Sequence, residues 1–277
     1  IGCHLVERLI KKHKIIVIDN LSTGRIENIK KFLPKIQFIN GDISKINQIK
    51  KYFKGVDRVF HLAALADIVP SIQNPSAYYQ SNVTGTLNVL KCAEFHKVKK
   101  FLYSASSSCY GIPKNYPTSE DEQISPQYPY ALTKLMGEQL VMHWAKVYKI
   151  KSISLRLFNV YGTKSRTSGT YGAMFGVFLA QKLSNAPLTI VGNGEQTRDF
   201  TYVSDVVDAF VKASNSKVYN KIYNVGSGKT VSVNKIVSML SKKKIFIPKR
   251  PGEPDCTFAN IKKIKRDLKW KPKINIK

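Results

Sequence analysis

The most informative chemical pattern in this sequence is a tyrosine four residues ahead of a lysine, in the stretch YPYALTK. Tyr130 follows Pro129 and opens a long helical pattern, and proline is favoured in the first turn of a helix. Positions i and i+4 share one helix face, so the Lys134 ammonium would lie beside the Tyr130 phenol and lower its pKa. Such a tyrosine can exchange protons near neutral pH. The alternative is a surface pair at a helix start.

A row of hydroxyl side chains precedes this pair. The stretch SASSSCYG, from Ser104 to Gly111, directly follows the predicted strand KKFLYS. In open α/β sheets, ligands bind in the crevice at the carboxyl ends of the strands. Ser106 and Ser108 could therefore hydrogen-bond a substrate hydroxyl or the tyrosine itself. The alternative is an ordinary serine-rich loop.

Two acidic residues follow the early predicted strands. Asp19 closes IIVID, and Asp42 follows the next strand in NGDI. A carboxylate at Asp19 could bond the ribose diol of a dinucleotide and repel a 2′-phosphate, which selects NAD over NADP, while Asp42 is placed to meet the adenine. Gly2 lies 17 residues before Asp19, where the last glycine of a phosphate-binding loop is expected. The alternative is two solvated strand ends.

The elements that must position these residues alternate between strand and helix. Short β-branched runs are separated by amphipathic stretches, such as 78–96 and 130–148. This alternation predicts an α/β fold, a Rossmann-type doubly wound parallel sheet, with a smaller C-terminal α/β domain. The predicted first domain covers residues 1–160 and a return segment at about 204–225. The second covers 161–203 and 226–277.

The composition restricts the partners of the chain. Its 277 residues carry a formal net charge of +27, but only eight of the basic residues are arginine and the lysines are spread over the whole length. That pattern favours a solvated lysine-rich surface over a nucleic-acid footprint. No apolar run is long enough to predict a membrane span. The four cysteines show no CxxC spacing, so we expect no metal site and a location in the cytoplasm.

Ten segments in order give the sequence a resemblance to a known family. They are VIDNLSTG, NGDI, FHLAALADIVPSIQNP, SNVTGTLNVL, YSASSSCYG, YPYALTK, LRLFNVYG, QTRDFTYVSDV, YNVGSG and RPGEPD. The chain resembles the extended short-chain dehydrogenases/reductases, and within them the nucleotide-sugar 4-epimerases of the UDP-glucose/UDP-N-acetylglucosamine type. Compared with the family pattern, we expect the first strand of the sheet and the opening glycines of GxxGxxG to be missing before Ile1.

The resemblance implies a role for individual residues. Tyr130 would be the catalytic base, Lys134 its electrostatic partner and Ser106 the catalytic hydroxyl. The implied NAD contacts, besides Tyr130 and Lys134, are Gly2, Asp19, Asn20, Asp42, Ile43, Leu62, Ala63, Ala64 and Asn82. The implied substrate contacts are Ser106, Ser108, Asn159, Arg198, Arg250, Glu253 and Thr257.

The implied activity is NAD-dependent 4-epimerisation of a UDP-hexose through a transient 4-keto intermediate. The small Thr257, at a position that controls room beside the sugar C2 substituent, leads to the hypothesis that N-acetylated UDP-hexoses fit as well as UDP-glucose and UDP-galactose. The resemblance also implies a homodimer, formed through helices at Pro75–His96 and Tyr130–Tyr148. Two alternatives remain open: a UDP-uronate 4-epimerase or decarboxylase of the same fold, and a non-catalytic dinucleotide-binding protein that associates with RNA.

Overall fold

A computed structural model describes residues 1–165, 174–249 and 253–276. In the first of these ranges, helical segments separate the successive strands along the chain as far as β5. Their bounds are α1 (Gly2–Leu9), β1 (Ile16–Asp19), β2 (Gln37–Asn40), α2 (Ile46–Ile49), β3 (Arg58–His61), α3 (Ile68–Gln73), α4 (Pro75–Tyr78), α5 (Gly85–Phe95), β4 (Lys100–Ser106), α6 (Pro129–Val147), β5 (Ser152–Leu157) and β6 (Asn159–Tyr161).

The elements after β6 are shorter on average. They are α7 (Met174–Leu183), β7 (Leu188–Val191), β8 (Thr197–Arg198), β9 (Phe200–Tyr202), α8 (Val203–Asn215), β10 (Lys221–Val225), β11 (Val231–Ser232), α9 (Val233–Leu240), β12 (Lys244–Ile247) and α10 (Lys262–Leu268). Short 3₁₀ helices cover Ile26–Asn28, Lys30–Lys35, Lys50–Phe53 and Ser107–Tyr110, and a π-helical turn at Tyr79–Thr84 joins α4 to α5.

The central sheet is parallel, with the strand order β10-β5-β4-β3. Every residue of β4 and β5 is buried, as expected for parallel strands covered on both faces. Along β4, Leu102 packs into one core cluster with α8, whereas Phe101 and Tyr103 pack into another with α5 and α6. Successive strand residues point to opposite faces, so helices cover both faces of the sheet. This confirms the predicted doubly wound α/β architecture.

The sheet is divided at its N-terminal strands. Strands β1 and β2 pair with each other in parallel and form a separate two-stranded sheet. This division does not contradict the expectation that the first strand of the family pattern is missing. Strand β10 pairs in parallel with β5, and α8 contributes Phe210 to the core beneath the sheet. The assignment of residues of about 204–225 to the first domain stays a prediction.

A third, smaller core lies in the later part of the chain. It contains Phe178 from α7, Leu188 and Ile190 from β7, and residues of α9. These residues are all numbered above 160, in the region where the sequence predicts a second domain. In the part of the chain that the structure describes, no helix is both long and apolar enough to cross a membrane.

Candidate active site

The described residues enclose a cavity of about 370 Å³ at the carboxyl ends of the central strands. Leu62 follows β3, Ser106 ends β4 and Phe158 follows β5, and all three line the cavity. The start of α6 and the segment at 253–257 form further walls. This is the edge of an open α/β sheet at which ligands bind.

Helix α6 brings the predicted tyrosine and lysine into this cavity. The helix begins at Pro129, whose missing N–H costs nothing in a first turn. Tyr130 and Lys134 then follow one turn apart, and both line the cavity. The Lys134 Nζ lies 4.4 Å from the centroid of the Tyr103 ring on β4. The structure therefore brings the two groups of the predicted acid–base pair together and places an aromatic ring against the ammonium.

The sequence prediction for the pKa of Tyr130 is wrong. Burial raises the pKa of Tyr130 to about 12, and a hydrogen bond with the Ser106 side chain opposes this rise. The prediction considered only the attraction between Lys134 and the phenolate. Removal of the phenol from water disfavours its charged form, and here burial is the largest influence on the pKa of Tyr130.

Lys134 shows the opposite shift for the same reason. Its side chain is buried, and burial lowers the pKa of Lys134 to about 7, while the carboxylate of Glu138 one turn further along α6 raises it. Among the described residues, the structure gives the ammonium no side-chain hydrogen bond, and the ring of Tyr103 lies 4.4 Å from it. A buried cation of this kind can receive hydroxyl or anionic ligand atoms.

The serine row forms the wall between β4 and α6. Ser106 Oγ accepts a hydrogen bond from the Ser108 backbone N–H at 3.2 Å, and the two hydroxyl oxygens are 3.0 Å apart. Both residues line the cavity. The short helix Ser107–Tyr110 ends at Gly111, whose φ of 63° favours glycine. A side chain there would also collide with the Ser125 carbonyl.

Four of the predicted substrate contacts line the far end of the same cavity: Asn159, Arg198, Glu253 and Thr257. Thr257 Oγ1 donates to Asn159 Oδ1 at 2.8 Å. Arg198 is buried and forms a 2.9 Å ion pair with Glu253. The second oxygen of that carboxylate, Glu253 Oε2, is buried and has no hydrogen-bond partner among the described residues. The remaining predicted contact, Arg250, lies outside the described residues.

The predicted dinucleotide contacts are spread more widely over the structure than the predicted substrate contacts are. Leu62 and Ala64 line the cavity, and the buried Asn82 side chain bonds both the N–H and the carbonyl of Leu65 in the same loop. The others are not among the residues that line the cavity: Gly2, Asp19, Asn20, Asp42, Ile43 and Ala63. Asp19 ends β1, Asn20 and Asp42 follow strand ends, and Gly2 begins α1. No cluster of potential metal ligands occurs in the three described ranges.

Comparison with known proteins assigns the family. The model of the NAD dependent epimerase/dehydratase family matches residues 1–226. The chain belongs to this family. It is 36% identical to a putative UDP-glucose 4-epimerase of Methanocaldococcus jannaschii, over 100% of this chain and 92% of that protein.

Solved structures of the family show the same fold. UDP-glucose 4-epimerase of Thermotoga maritima, crystallised with UDP-glucose, superposes with a TM-score of 0.94 at 30% identity, covering 99% of this chain and 91% of that one. A UDP-N-acetylglucosamine 4-epimerase from Methanobrevibacter ruminantium M1, in complex with UDP-N-acetylmuramic acid, gives 0.93 at 32% identity, covering 98% and 89%.

Family membership makes NAD the cofactor of this chain, and its own residues fit a dinucleotide. Asp19 presents a carboxylate at the end of β1, as a ribose diol requires. Facing it is Gly24, where a Cβ atom would lie only 2.9 Å from Asp19 Oδ2, so the missing side chain keeps the carboxylate accessible. At the other end, Lys134 offers an ammonium that no described residue hydrogen-bonds.

Three residues of the site were missed by the sequence analysis. Tyr128 lines the cavity and stacks on Tyr130, with ring centroids 6.4 Å apart and planes at 7°. Tyr103 lies against Lys134, and Glu138 acts on the Lys134 charge. Tyr128 is only two residues from Tyr130, so its proximity could have been read from the sequence. The other two depend on how β4 and α6 pack.

Proposed function

We propose that this protein is an NAD-dependent nucleotide-sugar 4-epimerase that interconverts UDP-hexoses through a transient 4-keto sugar. One observation carries the proposal: Tyr130, Ser106 and Lys134 converge in a single cavity with Arg198 and other polar residues at its far end. A phenol, a hydroxyl and an ammonium suit proton exchange with a sugar alcohol. A guanidinium suits a diphosphate.

In the proposed reaction, Tyr130 is the base that removes the proton of the sugar 4-hydroxyl, and Ser106 hydrogen-bonds the same oxygen. When bound, NAD would supply the hydride chemistry at C4, as acceptor from the sugar and then as donor to the opposite face of the ketone. Lys134 holds positive charge beside the phenolate, which favours proton release by Tyr130. The same tyrosine then returns the proton to O4, so the reaction is redox-neutral overall.

The proposed cofactor contacts follow the positions of the residues. Asp19 and Asn20 would hold the adenosine ribose, Asp42 and Ile43 the adenine, and Gly2 at the start of α1 the pyrophosphate. A helix N-terminus attracts phosphate groups. The residues left for the nicotinamide half are Leu62, Ala63, Ala64 and Asn82, with Tyr130 and Lys134.

In this proposal the protein binds the nucleotide part of the substrate tightly and the sugar part loosely. Arg198 would bind the diphosphate and give up part of its ion pair with Glu253. Glu253 Oε2, which has no partner in the described part of the chain, would accept a hydrogen bond from a ligand hydroxyl. Asn159, Ser108 and Arg250 complete the proposed contacts. Thr257 is small and hydrogen-bonded to Asn159, which supports the hypothesis that N-acetylated UDP-hexoses also fit.

The domain organisation and assembly are part of the proposal. We assign NAD to residues 1–160 with 204–225, and the nucleotide sugar to 161–203 with 226–277. Exposed apolar side chains on the helices predicted to form a homodimer support that assembly: Tyr79, Phe95, Leu132 and Val147. Four free cysteines suit the cytoplasm.

A coupled assay of UDP-galactose and UDP-glucose interconversion tests the proposal. Tyr130→Phe removes the proton acceptor and is expected to lower kcat by about 10²–10⁴-fold. Tyr219→Phe is the matched control, because this tyrosine is exposed and outside the cavity, and it should retain full activity. Equal activity of wild type and Tyr130→Phe would contradict the proposal.

The two alternatives give different results in the same series. A UDP-uronate enzyme would turn over UDP-glucuronic acid and leave UDP-hexoses unchanged, with release of CO₂ if it is a decarboxylase. An RNA-associated protein would bind RNA with an affinity that falls steeply with salt, and Tyr130→Phe would not affect that binding.

A further inference from the structure

A buried carboxylate follows Arg198 in the chain, between β8 and β9. It belongs to Asp199, and its two oxygens accept four hydrogen bonds. Oδ1 accepts from the backbone N–H and the hydroxyl of Ser227. Oδ2 accepts from the N–H groups of Gly228 and Ala259, at 3.0 and 3.1 Å. Asp199 does not line the cavity, and the proposed reaction gives it no role.

The bond to Ala259 helps to attach one wall of the cavity, the segment 253–257, to β8. Thr197 of β8 exchanges two backbone hydrogen bonds with this wall, at 2.9 and 3.1 Å. Ala259 lies two residues beyond the wall, so Asp199 adds a side-chain bond at the end of this pairing. Gly226 permits the close approach, since a Cβ atom there would lie only 2.8 Å from Asp199 Oδ2.

The backbone of Asp199 is linked to the side chain of Asn159. The Asp199 N–H donates to Thr257 Oγ1 at 3.2 Å, and the Asp199 carbonyl accepts from the Asn159 N–H at 3.1 Å. Thr257 Oγ1 donates its one hydrogen to Asn159 Oδ1 at 2.8 Å. The amide oxygen of Asn159 is therefore occupied, and its NH₂ group is the part that can donate to a ligand.

We propose that Asp199 is a positioning residue for the nucleotide site, whose carboxylate fixes the 253–257 wall against β8, so that Thr257 holds Asn159 with its NH₂ group available to the diphosphate. The inference rests on the proposed function, which places a diphosphate beside Arg198. A wall that is fixed before the ligand arrives need not be ordered on binding, and affinity gains by that amount.

A carboxylate suits this position because all four of its partners donate. An amide has one acceptor oxygen, and its NH₂ group cannot accept. Asp199→Asn therefore keeps the size of the side chain but leaves at least one backbone N–H of Ser227, Gly228 or Ala259 without its bond. Such a change loosens the wall without removing any group that lines the cavity.

The test is calorimetric titration of wild type and Asp199→Asn with UDP, because calorimetry gives the dissociation constant and the number of competent sites separately. The Kd of Asp199→Asn should be higher by about tenfold or more, with as many sites per chain as in wild type. In turnover of UDP-galactose, KM should rise by a similar factor, while kcat changes by less than about threefold.

Asp205→Asn is the matched control. Asp205 is also buried, and its carboxylate also accepts from two backbone N–H groups of a later segment, those of Lys273 and Ile274, both at 2.9 Å. It does not line the cavity and is not bonded to the wall. Whatever its effect on the melting temperature, Asp205→Asn should leave the Kd for UDP unchanged.

A second variant tests the link to Asn159 without altering the carboxylate. Thr257→Val keeps the shape of the side chain and removes the hydroxyl that Asp199 and Asn159 share, so UDP binding should weaken by about three- to tenfold. In an Asn159→Ala background the same substitution should have no further effect, because the hydroxyl acts through Asn159. If Asp199→Asn does not fold, these variants decide the question.

An unchanged Kd in folded Asp199→Asn, or a loss of competent sites alone, would overturn the inference. Equal weakening by Asp205→Asn would overturn it as well, as would additive losses from Thr257→Val and Asn159→Ala. A wild type that does not bind UDP refutes both proposals. If wild type binds UDP but does not turn over UDP-hexoses, only the proposed reaction fails, and the binding variants still decide the role of Asp199.

Discussion

The buried ion pair between Glu138 on α6 and Arg156 on β5 gives the sharpest test of how the fold supports the site. Both side chains are at most 5% exposed, and Arg156 Nη2 lies 2.6 Å from Glu138 Oε1. Arg156 Nε lies 3.1 Å from each carboxylate oxygen, and Ser154 Oγ donates to Oε2 at 2.8 Å. The helix that bears Tyr130 is thereby fixed to the central sheet.

Glu138→Gln keeps the size of the side chain and removes its charge. The Arg156 guanidinium then stays buried without an anion, which costs about 3–5 kcal/mol of unfolding free energy. For a chain of this length, each kcal/mol corresponds to roughly 2 °C in melting temperature, so we expect a loss of about 6–10 °C. Thermal unfolding followed by circular dichroism measures it.

The chain offers a matched control in the exposed pair of Asp57 and Lys99. Their charged atoms are 2.7 Å apart, as close as in the buried pair, but their side chains are 65% and 80% exposed. Asp57→Asn should leave the melting temperature unchanged, because exposed pairs contribute little. If the melting temperature of Glu138→Gln lies within 1 °C of wild type, or if both substitutions lower it equally, burial does not determine how much an ion pair stabilises this fold.

Two further predictions concern the buried ammonium. Burial lowers the pKa of Lys134 from 10.5 to about 7; the unfolded state therefore binds more protons between these values, and wild type should gain stability relative to Lys134→Met from pH 7 to 10 in urea unfolding. A difference that does not vary with pH would contradict this. Tyr103→Leu removes the ring face 4.4 Å from the ammonium and should lower kcat about tenfold, whereas Tyr103→Phe keeps the face and should stay within a few-fold. Equal losses in the two variants would show that the ring face is not what matters.

The order of strands and helices was predictable from the sequence because short β-branched runs are separated by stretches whose apolar residues recur near helical spacing. Pro129 marked the first residue of α6, and the run IIVID gave the strand that ends at Asp19. The row Ser104–Gly111 was correctly placed at the end of β4 because a parallel sheet presents all its carboxyl ends at one edge. These features depend on local pattern and on a general property of the fold.

The parts that were missed depend on contacts between distant segments. Nothing near Tyr103 in the sequence indicates that its hydroxyl lies 3.2 Å from the Lys134 carbonyl. Gly137 permits that approach, since a Cβ atom there would clash with the Tyr103 hydroxyl. Likewise, the bond from Ser227 to the buried Asp199 carboxylate joins residues 28 positions apart, and only the folded chain shows it.

Burial shifts the pKa of both Tyr130 and Lys134. Burial raises the pKa of the phenol to about 12 and lowers that of the ammonium to about 7, so it drives both groups toward their neutral forms. At neutral pH the Tyr130 phenol is therefore protonated, and Lys134 is divided between its charged and neutral forms. Any positive charge that a ligand brings beside the phenol lowers the pKa of Tyr130, and the low dielectric that opposed ionisation then strengthens this attraction. The burial that raises the pKa of Tyr130 therefore also makes its protonation sensitive to any positive charge placed beside it.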